Sequence, residues 1–100
     1  MTAAIARARE YGVAIAFADL GDWGLDELRS EYDPHKNEIR LNVRIAEQLS
    51  PEELGEFIAL AVGHELYHHR ERIGEVEVIS DRVAREHAAN DYARRLLNGR

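Results

Sequence analysis

The sequence predicts an α+β domain, with helices packed on a small three-stranded sheet. Three observations carry this. "NEIRLNVRI", residues 37–45, alternates apolar and polar side chains strictly, the period of a strand with one buried face. "SPEE", residues 50–53, has the composition of a helix start. From there to Leu97, apolar residues recur at helical steps of three and four. The expected order is α-β-β-β-α-α, in one domain covering residues 1–100.

The first eleven residues, rich in Ala, Arg and Glu, predict a helix that ends near Gly12. In "GVAIAFADLG", Val13, Ile15 and Phe17 alternate with small residues between two glycines, which predicts a strand. "GDWGLDELRSEYD" leaves loop, short helix and strand open, a strand ending near Tyr32 being one reading. "DPHKN" has turn chemistry, because Pro34 presets φ and Asn37 tolerates a left-handed conformation. A hairpin from about Arg29 to Ile45 follows, with Ile39, Leu41, Val43 and Ile45 on its buried face. Ser50 as N-cap, Pro51 at the first helical position and Glu53 closing a capping box start a helix that runs to about Glu71. Gly74 breaks it, and a last helix covers roughly Val76 to Leu97, just before Gly99.

Composition removes several function classes. There is no cysteine, so disulfide frameworks, thiolate metal sites and cysteine nucleophiles are excluded. A net charge of -6 argues against a general nucleic-acid binder. Arg82, Arg85, Arg94, Arg95 and Arg100 crowd the C-terminal segment and read as a solvated helix face. The longest apolar run, "FIALAV", is too short to span a bilayer, and the N-terminus lacks the apolar stretch of a signal peptide. The cytoplasm is the expected compartment.

Chemistry concentrates in "GHELYHH", residues 63–69, where His64, Glu65 and His68 form H-E-x-x-H. On a helix, positions four apart lie about 40° apart in azimuth and roughly 6 Å apart along the axis, so both imidazoles can reach one ion. Glu65, about 100° round from His64, is placed to act on a water beside that ion. Leu54, Phe57, Ile58 and Ala61 form the apolar stripe of this helix, and the motif continues that stripe. Polar groups turned inward need partners, and a metal ion supplies one. Zinc asks for a third protein ligand. The expected inward stripe of the last helix is Ile79, Val83, Glu86, Asn90, Ala93 and Leu97, in which only Glu86 and Asn90 are polar. Glu86 is therefore the candidate third ligand, and Asn90 the candidate that orients a histidine. His69 and His87, each about 100° from the inward groups, are expected at the edge of the site or on the surface, and Asp81 in solvent.

"GHELYHH" followed by "EHAANDYARRLL" resembles the ImmA/IrrE-type metallopeptidases, minimal zincins whose second motif reads approximately E-x-x-A-N-x-F-A-x-x-L-L. Glu86, Ala89, Asn90, Ala93, Leu96 and Leu97 stand at those positions, with Tyr92 where Phe is usual. The family's usual Met-Pro after the double Leu is Asn98-Gly99 here. The resemblance implies Zn2+ held by His64, His68 and Glu86, Glu65 as general base, and site-limited cleavage of a protein substrate, a helix-turn-helix repressor encoded nearby. Such a mechanism needs an oxyanion donor; Tyr67, His69, Tyr32 and His35 are the candidates. An extended substrate is expected to pair with an exposed edge of the "NEIRLNVRI" strand. The alternative is a non-catalytic regulatory module that keeps zinc on the same fold for stability. Neither reading calls for a membrane or direct nucleic-acid contact, and the sequence fixes no oligomeric state.

Overall fold

The computed structural model describes residues 2–21 and 29–99, so much of the ambiguous stretch 21–33 lies outside the described residues. Helix α1 (Ala3–Glu10) starts where the Thr2 hydroxyl accepts a hydrogen bond from the Ile5 amide at 3.2 Å, and it buries Ala4 and Ala8. Strands β1 (Ala14–Ala18), β2 (Ser30–Asp33) and β3 (Glu38–Asn42) form one sheet in the order β1-β3-β2. β1 runs parallel to β3 and β2 antiparallel to it, with Ile15 and Tyr32 opposite Ile39 on either side. The α+β class and the hairpin are as expected, and Asn37 takes φ 52° in the turn.

Two boundaries and one buried face differ from the sequence pattern. β3 ends at Asn42, and Val43–Ala46 form a short helix, α2, although Val43 and Ile45 continue the alternation. Asn42 causes the switch. Its side-chain oxygen accepts from the Arg44 amide at 3.1 Å, and its side-chain nitrogen donates to the Gly21 carbonyl at 3.1 Å. The β1 pattern also misleads at Phe17, which is 49% exposed on an outer strand although it pairs with the buried Leu41 of the central one.

Helix α3 (Pro51–Arg72) opens with the expected box: the Glu53 amide donates to the Ser50 hydroxyl at 3.2 Å, and the Ser50 amide to the Glu53 carboxylate at 3.0 Å. It buries Phe57, Ala61, Val62 and Leu66 against the sheet and α1, with Leu54 and Ile58 packed at the margin. Gly74, at φ +80°, turns the chain away beyond the helix end.

The last helix, α4 (Arg82–Leu97), begins at Arg82 rather than Val76. Val76, Val78 and Ile79 are β-branched and poor at nucleating a helix. Asp81 is exposed, as expected, and its carboxylate also accepts from the Ala84 amide at 3.2 Å and caps the helix. The buried face is Ala89, Ala93 and Leu96, while Val83 and Leu97 are 65% and 43% exposed. Small residues carry this contact because the two helices approach closely. A Cβ built on Gly63 would lie 2.7 Å from the Ala93 Cα. Among the described residues no helix is long and apolar enough to cross a membrane.

Candidate metal centre

Close approach of α3 and α4 sets the site. His64 and His68 sit one turn apart on α3, and their Nε2 atoms are 3.3 Å apart. Glu86, near the start of α4, brings its Oε2 to 3.1 Å from His64 Nε2 and 3.3 Å from His68 Nε2. Three atoms thus form a nearly equilateral triangle. Nitrogen and oxygen ligands about 2.0–2.1 Å from a tetrahedral zinc are separated by about 3.3 Å, so the donor set fits that ion.

The hydrogen bonds behind the triangle say what it lacks. His64 Nδ1 lies 2.7 Å from Asn90 Oδ1, and His68 Nδ1 lies 2.7 Å from Glu71 Oε1. A carboxylate and an amide oxygen only accept, so each imidazole donates through Nδ1. In the neutral rings each Nε2 is then a bare lone pair. Both Nε2 atoms face the same carboxylate oxygen, Glu86 Oε2. Glu86 Oε2 is buried without a hydrogen-bond partner. A buried carboxylate oxygen without a partner is costly, and a shared cation is one partner that would satisfy it.

Glu65 is buried on the β2 side of the same turn, and its Oε2 accepts from the Ser30 hydroxyl at 2.6 Å. His64, Glu65 and His68 present ligand atoms within 4.8 Å of one another. The chain therefore carries a His-Glu-x-x-His cluster on an α-helix, of the kind that zinc metallopeptidases use.

Two groups at the site escaped sequence reasoning. Glu71, the residue one turn after His68, is almost fully buried and is held by Arg85 through Nε at 2.9 Å and Nη2 at 2.7 Å. The Arg85 guanidinium, with the His68 ring adding to it, holds the Glu71 carboxyl below the usual carboxylate range although burial opposes this. Ser30 is the other. Its signal was weaker, because its partner lies 35 residues away.

The remaining candidates are dispersed. Tyr67 is buried in the α3–α4 contact, edge-on to His68 and tilted against Tyr92. His69 is 3% exposed rather than at the surface, because Tyr11 and Tyr32 enclose it, and burial pushes its pKa down. Its Nδ1 meets the Tyr32 hydroxyl at 2.7 Å. His35 and His87 are exposed. Two cavities flank the triangle. One, of about 610 Å³, reaches from His64 and Glu65 over Phe57, Leu60 and Ile45. The other, of about 460 Å³, is bounded by Tyr32, His68, Glu71, Arg85 and Glu86.

The strand along both cavities is β2, which contributes Ser30 to the first and Tyr32 to the second. β3 is central and paired on both sides, so the exposed edge expected of it is not there; among the described residues β1 and β2 are the outer strands, and β2 is the one beside the cavities. Comparison with protein-family models, curated proteins and solved structures gives no match to this chain.

Proposed function

We propose that this protein is a zinc-dependent endopeptidase. The observation that carries the reading is the meeting of His64 Nε2, His68 Nε2 and Glu86 Oε2 across two helices, each within 3.1–3.3 Å of the other two. His64, His68 and Glu86 would hold the ion. The chemistry it supplies when bound is Lewis acidity toward water and a peptide carbonyl. Glu65, with Oε2 anchored by Ser30, takes a proton from the attacking water on Oε1 and delivers it to the leaving amine. Asn90 keeps the His64 ring turned so that Nε2 faces inward. Of the oxyanion-donor candidates, Tyr32 is the one in a cavity wall beside the triangle, and its hydroxyl would have to leave His69 Nδ1, 2.7 Å away, to serve. An extended peptide would add to the outer edge of β2, unpaired among the described residues, and lie across both cavities.

The narrower assignment, to the ImmA/IrrE-type peptidases with a DNA-binding repressor as substrate, is supported by the two motifs in "GHELYHH" and "EHAANDYARRLL". The Glu65→Gln protein should retain one zinc per chain by elemental analysis and lose cleavage of peptide and repressor substrates. Undiminished cleavage would remove Glu65 as the base. A second reading, zinc as a structural brace, is favoured by the burial of Glu65 against Ser30. Stoichiometric zinc in wild-type protein with no cleavage of any substrate would select it.

A further inference from the structure

We infer that Glu71, clamped by Arg85, is a positioning residue that sets the His68 ring as a metal donor. This rests in part on the zinc reading above. The two histidines of the triangle are held unequally. His64 leans on the neutral amide of Asn90, which is itself exposed. His68 leans on a carboxylate whose side chain is 2% exposed and which receives three further hydrogen bonds from Arg85, two of them sharing Nε.

A buried carboxylate with this set of donors has its orientation fixed, and it has no proton to give. His68 must therefore keep its proton on Nδ1 and its lone pair on Nε2. A carboxylate partner also makes the imidazole a stronger donor than an amide does. Arg85 matters twice, because the next residue is Glu86. The fork that closes on Glu71 pins the first turns of α4 to the end of α3. That contact brings Glu86 Oε2 to the two rings. The bond network thus ties ligand orientation on one helix to ligand delivery from the other. The structural alternative is a plain brace between helices, and it makes no demand on which His68 nitrogen carries the proton.

The test has two arms. In the first, long-range 1H–15N correlation spectra of metal-free 15N-labelled protein, recorded across a pH series, report the protonation and the proton position on each ring. Wild-type His68 should show the Nδ1–H form. In Glu71→Gln, where one amide cannot serve both His68 and the Arg85 fork, that form should be lost, with His64 unchanged. In the second, zinc affinity is read by competition with a chromophoric chelator. Glu71→Gln should weaken binding about 10- to 100-fold, the usual effect of removing such a partner. Arg85→Leu should follow it, and Arg85→Lys should recover part of the loss. An unaltered His68 tautomer together with zinc affinity within about threefold of wild type, judged against that range, would overturn the inference. If wild-type protein binds no zinc, the metal reading fails, and the tautomer arm alone decides the clamp. If Glu71→Gln does not fold, the Arg85→Lys and Arg85→Leu pair decides it in the same way.

Discussion

The Ser30 hydroxyl is the one side-chain donor that reaches Glu65, at 2.6 Å among the described residues. Removing it leaves a buried carboxylate short of a hydrogen bond, a loss of about 1–3 kcal/mol. Ser30→Ala should therefore lower stability in urea by that amount while zinc stoichiometry stays at one per chain. A loss under about 0.5 kcal/mol, below the net worth of an ordinary hydrogen bond, would mean that water serves Glu65 equally well. Ser30 and Glu71 also mark what a linear sequence hides. His64, Glu65 and His68 are legible because their meeting is decided inside one helix, by a fixed four-residue spacing. Glu86 and Asn90 are legible as polar residues in an apolar stripe. Glu71 reads as one more charge at a helix end, and only the packing of Arg85 over it reveals its burial. Ser30 meets its partner through the sheet, and no local pattern announces that.

Among the elements, the α3–α4 contact decides whether the site exists. At Gly63 a Cβ would meet the Ala93 Cα at 2.7 Å and the Ala93 Cβ at 2.8 Å, and backbone cannot swing aside as a side-chain tip can. Gly63→Ala should destabilise by about 1–3 kcal/mol through overpacking. It should also weaken zinc binding, because the helices part and Glu86 leaves the rings. Adding Ala93→Gly should return part of both losses. Gly55 lies on the same helix with nothing within 4 Å of a built Cβ, and Gly55→Ala should leave zinc affinity unchanged. Denaturation curves and chelator competition on the four proteins check this. Equal zinc affinity in Gly63→Ala and wild type would show that the close approach is not what places Glu86. Element limits were legible where a cap is local, as at Ser50, Pro51 and Glu53. They failed where an apolar pattern ran past a polar cap. Val43 and Ile45 extended the β3 alternation beyond Asn42, and Val76 and Ile79 extended the helical stripe back beyond Asp81. In both places a side chain that accepts backbone N–H groups overrides the periodicity.

For the molecule as a whole, an ion that joins α3 to α4 should contribute to folding stability as well as chemistry. At a free zinc concentration one hundred times the dissociation constant, the gain is about 2.7 kcal/mol. For a domain of this size each kcal/mol moves Tm by about 4–8 °C, so chelation should lower Tm by roughly 10–20 °C. Calorimetry with and without chelator measures the difference, and Glu86→Ala should melt near the chelated protein and respond little to zinc. Superimposable wild-type traces would mean that the folded chain gains nothing from the ion. The general architecture was legible because the sheet alternation, the capping box and the helical stripe agree with one another. The flanking cavities and the β2 edge were not, since both depend on strand order, and strand order depends on contacts between distant segments.

The three atoms of the triangle come from residues 64, 68 and 86, all within one helical hairpin. Drawing the ends of so short a segment together costs chain entropy of about 3 kcal/mol beyond a constant, and lengthening it adds little. An ion held by these three atoms would close its ring within this hairpin. Insertions between Gly74 and Ser80 would stretch the tether at small thermodynamic penalty, leaving this connection as the part of the chain freest to vary in length.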